Sequence, residues 1–375
     1  MINAFLFYKM TSAYQKITGD YRRTIVIGDI HGCYHELRSL LSKCGFNDQD
    51  LLITVGDMVD RGPLTWDVVS FFKNTSNAFS VMGNHERRIA GTIRGTIPPA
   101  WSQEHSLLKI PKPQHESWAS WFETLPAVIE TPHAIITHAR LDPEKEINQQ
   151  DPHFTCAVGG AGVKIELNNQ QTPVWFEQWK KNFGLKKPIC MGHVGYSSVE
   201  LISGELFALD TGACRQGELT AVILPENRIV RVAVEENYIK NAQREWTLKT
   251  YSEERPESFG INEMLRLLTK DDRTDLETIV LKKFQACLVQ HDIRGRIPLL
   301  HKKLLGKLGE IPPPGPTRGD YFKGIKEQLM ANINHRLVRL LLSDSPSDLE
   351  PLLDIFRKKN LGNILDDLKA IEQIA

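Results

Sequence analysis

Three short apolar runs near the start of the chain, residues 24–27, 51–55 and 79–82, each break off at a glycine followed by a polar residue: Gly28-Asp29, Gly56-Asp57 and Gly83-Asn84. Near-continuous β-branched and aliphatic runs of this length predict strands buried on both faces. The glycine frees the backbone to turn sharply, so the next polar side chain projects past the strand's carboxyl end. Between the runs the period changes. Residues 33–44 carry Tyr34, Leu37, Leu40 and Leu41 at helical spacing, and residues 64–73 carry Trp66, Val69 and Phe72. The spacing is that of βαβ units, whose right-handed crossovers set the three strands side by side. Ligands of such open sheets bind beyond the carboxyl ends of the strands, where these polar groups stand.

The pattern continues with a short helix over 87–94, a Pro- and His-rich stretch over 97–115, and a helix face of Trp118, Trp121, Phe122 and Leu125 ended by Pro126. We read 97–115 as a loop, either bordering the substrate entrance or a surface insertion. Short strands are expected at 127–130, 134–137, 188–191, 206–209, 219–224 and 229–234; the second of these ends at His138 and the third at Gly192-His193. Parallel units followed by a strand-rich half predict an α/β fold with two sheets face to face and helices outside. Residues 1–22 read as a lead-in, 23–237 as the catalytic domain, 238–258 as a charged linker and 259–375 as a helical C-terminal domain. Helices are expected there at 261–268, 276–289, 297–308, 321–342, 349–356 and 361–374, interrupted by the Pro-rich run 312–316.

Composition narrows the function classes. The 375 residues carry 46 basic and 46 acidic side chains, and from residue 251 onward 20 Lys and Arg stand against 19 Asp and Glu. Neither balance suggests a nucleic-acid or polybasic membrane binder. Six cysteines stand singly without a CxxC pair, which fits reduced thiols in a cytoplasmic protein. No run approaches the roughly 20 apolar residues that span a bilayer.

The segments Gly28-Asp29-Ile30-His31-Gly32, Gly56-Asp57-Met58-Val59-Asp60-Arg61-Gly62 and Gly83-Asn84-His85-Glu86 resemble the phosphoprotein phosphatase branch of the two-metal metallophosphoesterases, in their bacterial form, which includes protein phosphatases and dinucleoside polyphosphate hydrolases. The resemblance implies a four-layer αββα sandwich of two mixed sheets. It implies Asp29 and His31 as ligands of a first divalent cation, Asp57 as the bridge, and Asn84, His138 and His193 as ligands of a second. Mixed oxygen and nitrogen donors suit manganese first, with iron, zinc or cobalt as alternatives. It makes His85 the general acid, oriented by Asp60, and Arg61 a grip on the substrate phosphate.

Two positions depart from the family pattern. Arg140 stands where a glycine usually follows the His138 position, and the second phosphate-gripping Arg is replaced by Glu177 in Trp175-Phe176-Glu177. Arg140, Lys180 or Arg215, the last directly after the family-like segment Asp210-Thr211-Gly212-Ala213-Cys214, are the candidates to supply the missing charge. The resemblance implies a phosphatase in which a metal-bridging hydroxide attacks phosphorus. Phosphoserine or phosphothreonine in a protein is the first expected substrate and a dinucleoside tetraphosphate the alternative. A third reading is a phosphatase-like scaffold working through the helical C-terminal domain, which is expected to bind a protein partner or to self-associate.

Overall fold

The structure is a computed structural model that describes residues 13–158, 173–195, 199–253 and 272–290, with isolated positions at 263, 266, 267, 270, 296, 299, 363, 366, 368 and 369. The expected lead-in already contributes a strand: Tyr14–Lys16 (β1) lies parallel to Val128–Glu130 (β5), with Tyr14 opposite Val128. Three residues with one apolar side chain give no alternation to read, and pairing supplies what the pattern lacks.

The βαβαβ unit forms as the periodicity predicts. Arg23–Ile27 (β2), Asp50–Thr54 (β3) and Ala78–Ser80 (β4) run parallel and adjacent, joined by helices Tyr34–Cys44 (α1) and Thr65–Asn74 (α2). Helix α1 buries Leu37, Leu40, Leu41 and Cys44 along one stripe, and ends at Gly45 in the left-handed region, whose N–H reaches the Leu41 and Ser42 carbonyls.

Asn84–Ile93 (α3), Trp101–Lys109 (α4) and Lys112–Phe122 (α5) follow. The 97–115 stretch is thus largely helical rather than a loop. Its prolines fall outside the helix interiors: Pro98 and Pro99 precede α4, and Pro111 and Pro113 flank the first residue of α5, where a missing N–H costs nothing. Beyond Ile135–Thr137 (β6) come the short helix Pro152–Thr155 (α6), Val174–Phe183 (α7), Ile189–Met191 (β7), Glu200–Ile202 (β8), Leu206–Ala208 (β9), Glu218–Leu224 (β10) and Arg228–Ala233 (β11).

One sheet has the order β11-β10-β2-β3-β4 and the other β1-β5-β6-β7-β9-β8, both mixed. Side chains assign the layers. Val26, Leu51, Ile53 and Val222 of the first sheet pack with Ile129, Ile136, Cys190 and Phe207 of the second, so the two sheets face each other. The other face of the first sheet meets α1, α2, α3 and α5 through Ile25, Leu37, Val69, Ile89 and Trp118. The other face of the second meets α7 through Ile135, Ile189, Trp175 and Phe176. This is the αββα sandwich, with β6 and β7 ending on the same side as β2, β3 and β4.

The stretch read as a linker forms the helix Tyr238–Glu253 (α8). Ala242, Gln243, Arg244, Leu248 and Lys249 are good helix formers, a signal that a search for apolar periodicity passes over. The chain divides into two compact units, Met1–Arg244 and Glu245–Ala375, inside this helix. In the second unit Asp275–Gln290 (α9) matches the helix expected at 276–289. It opens with a capping box: the Thr274 N–H donates to Glu277 Oε2 at 2.8 Å and the Glu277 N–H to Thr274 Oγ1 at 3.3 Å. It buries Val280, Leu281, Phe284 and Cys287. The isolated described positions at 263, 266, 267, 296, 299, 363, 366, 368 and 369 are helical, and the rest of the other expected C-terminal helices lies outside the described residues. Among the described residues no helix is long and apolar enough to cross a membrane.

Candidate metal centre

The turns after the strands are tightly wound. His31, Asp57, Asp60, Arg61 and His193 all have φ between 46° and 69°, five of the eight non-glycine residues in the described chain with positive φ. Left-handed backbone at such residues costs about 1–3 kcal/mol each and gathers at functional sites. Glycine makes room where backbone must touch a carboxylate. A Cβ on Gly83 would lie 2.3 Å from Asp57 Oδ1, and one on Gly192 would lie 2.1 Å from Asp29 Oδ1.

Glu86, fully buried, holds two of these turns together. Its carboxylate accepts the N–H groups of Asp57 at 2.8 Å, Met58 at 2.7 Å, Val59 at 3.2 Å and Gly83 at 3.0 Å. The motif contains Glu86, but its role needs backbone atoms that the sequence does not place. In Glu86→Gln one oxygen becomes a donor facing donors, and each buried N–H left without an acceptor costs about 1–3 kcal/mol. We expect a loss of about 3–5 kcal/mol, read as a lowered urea midpoint with unchanged slope; an unchanged midpoint would show that the clamp is dispensable.

The six expected ligands come together. His138 Nε2 lies 2.9 Å from Asn84 Oδ1 and 3.5 Å from Asp57 Oδ1, and His193 Nδ1 lies 3.1 Å from Asn84 Oδ1. His31 Nε2 lies 3.6 Å from Asp57 Oδ2, and the Asp29 carboxylate accepts the His193 N–H at 3.1 and 3.2 Å. Backbone carbonyls orient two imidazoles: His31 Nδ1 donates to Val59 O and His138 Nδ1 to Val55 O, both at 2.8 Å, which turns each Nε2 lone pair inward.

Two triads of donor atoms could each hold a cation, His31–Asp57–His85 and Asp57–His138–His193, with the atoms of each within 4.8 Å of one another. They share Asp57. The first contains His85, which the sequence reading assigns to proton transfer, in the place expected for Asp29.

The electrostatics favour added positive charge. Burial, Asp210 and Asp57 hold the Asp29 carboxyl well above the usual carboxylate range. Burial also acts against the Asp57 charge, but His138, His85, His31 and Arg61 outweigh it and keep that carboxyl low. His193 is lowered to about 4 by burial and by His138, and burial together with Arg61 lowers His31, so both imidazoles keep their lone pairs at neutral pH. A shared carboxylate, neutral imidazoles, an amide oxygen and a second carboxylate in need of a counter-charge fit two divalent cations.

Beside the donors lies a buried hydrogen-bonded chain. His85 Nδ1 is 2.5 Å from Asp60 Oδ2, and the fully buried Asp60 also accepts from Ser106 Oγ at 2.6 Å and from Gln103 Nε2. Gln103 cannot turn its amide round freely, since its Oε1 accepts the Ala100 N–H at 3.1 Å and Arg88 Nε at 3.3 Å. Burial opposes charge on His85, but Asp57 and Asp60 raise it above the ordinary imidazole range. Ser106 and Gln103 lie in the stretch read as a loop, more than 40 positions from Asp60 in the chain, and sequence spacing carries no sign of them.

Arg61 donates from Nη1 to His31 Nε2 at 2.8 Å and from Nη2 to His85 Nε2 at 3.0 Å, so a cation already sits against the donor atoms. Arg61 and Arg215 line one cavity. Arg140 lies over the Phe154 ring, 4.8 Å from its centre, with its buried Nε unbonded. Of the other positions considered for the missing Arg, Glu177 is exposed on α7 and Lys180 is paired with Glu205 at 2.5 Å.

Residues 22–224 match the family Metallophos, calcineurin-like phosphoesterase. The chain belongs to this family. Its phosphoesterase domain is 34% identical over 172 residues to a protein of Coxiella burnetii named bis(5'-nucleosyl)-tetraphosphatase, symmetrical; the match covers 43% of this chain and 57% of that one. The chain thus spans little more than half the length of that curated relative. It is 28% identical over 233 residues to the asymmetrical bis(5'-nucleosyl)-tetraphosphatase PrpE of Bacillus cereus, covering 55% of this chain and 92% of the other. Among solved structures, a protein serine/threonine phosphatase from Saccharomyces cerevisiae matches with a TM-score of 0.44 and 18% identity, over 61% of this chain and 85% of that one.

Proposed function

We propose that this phosphoesterase is a two-metal hydrolase of phosphate esters or anhydrides, with Asp29, His31, Asp57, Asn84, His138 and His193 holding two divalent cations, manganese first among them. The observation that carries the reading is the pair of donor triads meeting at Asp57 beside the His85–Asp60 hydrogen bond. Bound there, the cations would supply charge neutralisation at the phosphoryl group and an acidified water as nucleophile. The chain's own residues do the rest. Arg61 turns its planar fork from the two imidazoles onto phosphoryl oxygens, which frees His85 Nε2 to take up a proton from solvent. His85, its Nδ1 held by Asp60, then gives the Nε2 proton to the leaving oxygen. Arg215 and Arg140 are the further candidates to bind substrate.

The names of the curated relatives favour a dinucleoside polyphosphate as substrate over the phosphoprotein that the motifs first suggest. Manganese-loaded protein assayed on diadenosine tetraphosphate and on a phosphoserine peptide separates the two: faster hydrolysis of the dinucleotide supports the reading, the reverse order restores the protein phosphatase, and activity on neither defeats both. Residues 259–375 would act as a separate helical domain that binds a protein partner or a second copy of the chain. A cytoplasmic location accords with six buried cysteines, none in a disulfide.

A further inference from the structure

The cavity beside Arg61 is lined by three guanidinium groups. Its volume is about 420 Å³, inside the range of roughly 300–1,000 Å³ usual for small-ligand sites. Guanidinium groups reach it from three separate parts of the chain: Arg61 after β3, Arg215 on the turn Ala213–Arg215, and Arg231 on β11. Two carboxylates, Asp210 and Glu218, share the wall. Asp210 is occupied locally, its Oδ1 accepting the Gly212 N–H at 3.1 Å. Glu218 pairs with Arg231 across 3.6 Å, beyond hydrogen-bond length. Arg215 makes no side-chain hydrogen bond or ion pair among the described residues. Three arginines against two carboxylates leave one net positive charge on the wall.

Arginine clusters of this kind match phosphate, since each planar fork can donate two parallel hydrogen bonds to one phosphoryl group. Arg61 touches His31 and His85 and also lines the cavity, so this one residue joins the cavity to the proposed reaction centre. A monoester held by Arg61 would leave Arg231 with Glu218 alone and Arg215 with no phosphoryl group; a phosphate chain would use both.

We propose that this cavity is a subsite for phosphoryl groups beyond the one that reacts, gripped by Arg215 and Arg231, and that the substrate class is therefore a linear polyphosphate or a nucleotide carrying one. The inference rests on the hydrolase reading for which phosphate reacts, whereas the binding it asserts can be measured without turnover.

The probes are methylenediphosphonate, with two phosphoryl groups joined by a bridge that hydrolysis does not cleave, and methylphosphonate, with one. Their affinities are compared by calorimetry on the manganese-loaded full chain at fixed free manganese. The wild type should prefer the diphosphonate by at least about tenfold. Arg231→Ala and Arg215→Ala should each lower that preference about tenfold, the effect of losing one charge-assisted hydrogen bond, and Arg231→Lys should restore part of it. Both arginines are exposed, so their removal should leave the fold intact. An unchanged preference in both alanine variants overturns the subsite, even if the enzyme hydrolyses phosphate esters normally. A wild type inert toward every phosphate compound that still shows the arginine-dependent preference would keep the subsite and remove the hydrolase reading.

Discussion

Asp57→Asn is expected to lower kcat/KM by at least roughly 10³-fold, about 4 kcal/mol of transition-state stabilisation. Asp57 is the one residue common to both donor triads, and its charge is what His31, His85, His138 and Arg61 face. The amide keeps an oxygen where Oδ1 accepts the His85 N–H at 3.0 Å, so the turn should still form. What disappears is the negative charge between the two cation positions. Bound manganese should fall below two per chain, and the rise in Tm that manganese gives the wild type should vanish, since only a ligand bound to the folded state stabilises it. Activity within tenfold of wild type in a normally folded Asp57→Asn protein would remove Asp57 from the centre of the account.

His85→Gln should lower kcat on alkyl phosphates by about 10²–10⁴-fold, the usual worth of a positioned proton donor. On p-nitrophenyl phosphate, whose leaving group departs without a proton, the loss should be much smaller. The pH dependence has a definite sign. Asp57 and Asp60 raise His85, so its protonated form persists above the ordinary imidazole range and the wild-type rate should decline as pH climbs through the raised value. That basic limb should be absent in His85→Gln. Ser106→Ala removes one of the donors that anchor Asp60 and should cause a smaller loss, of about tenfold or less, with the same dependence on the leaving group. A merely structural Ser106 would change stability and leave that dependence alone. Equal losses on both substrates would place His85 in binding rather than proton transfer.

How much could be read in advance follows from the range of the forces involved. Strand ends at Gly28, Gly56, Gly83 and Gly192 are local events, an apolar run followed by a residue that permits a tight turn, and the ligands attached to them were legible for that reason. His193 has the same signature and His138 closes an apolar run without the glycine; both meet Asn84, although 109 and 54 positions separate them from it. Side-chain partnerships across elements left no such trace. Nothing in the sequence joins Gln103 and Ser106 to Asp60, or Arg231 to Arg61, because only the packing of α4 and β11 brings them near. Composition misled where placement mattered: four prolines made 97–115 look irregular, yet each falls before or at the start of a helix. At 238–253 helix propensity acts without an apolar stripe, so periodicity gives no sign of the helix that forms there. Strand β1 is too short to show alternation and exists through its pairing with β5.

The most direct test is anomalous scattering from crystals of the full chain grown with manganese. The account predicts two peaks per chain roughly 3.5–4 Å apart, with Asp57 between them, one beside His31 and the other beside Asn84, His138 and His193. A single peak, or peaks remote from Asp57, would contradict it.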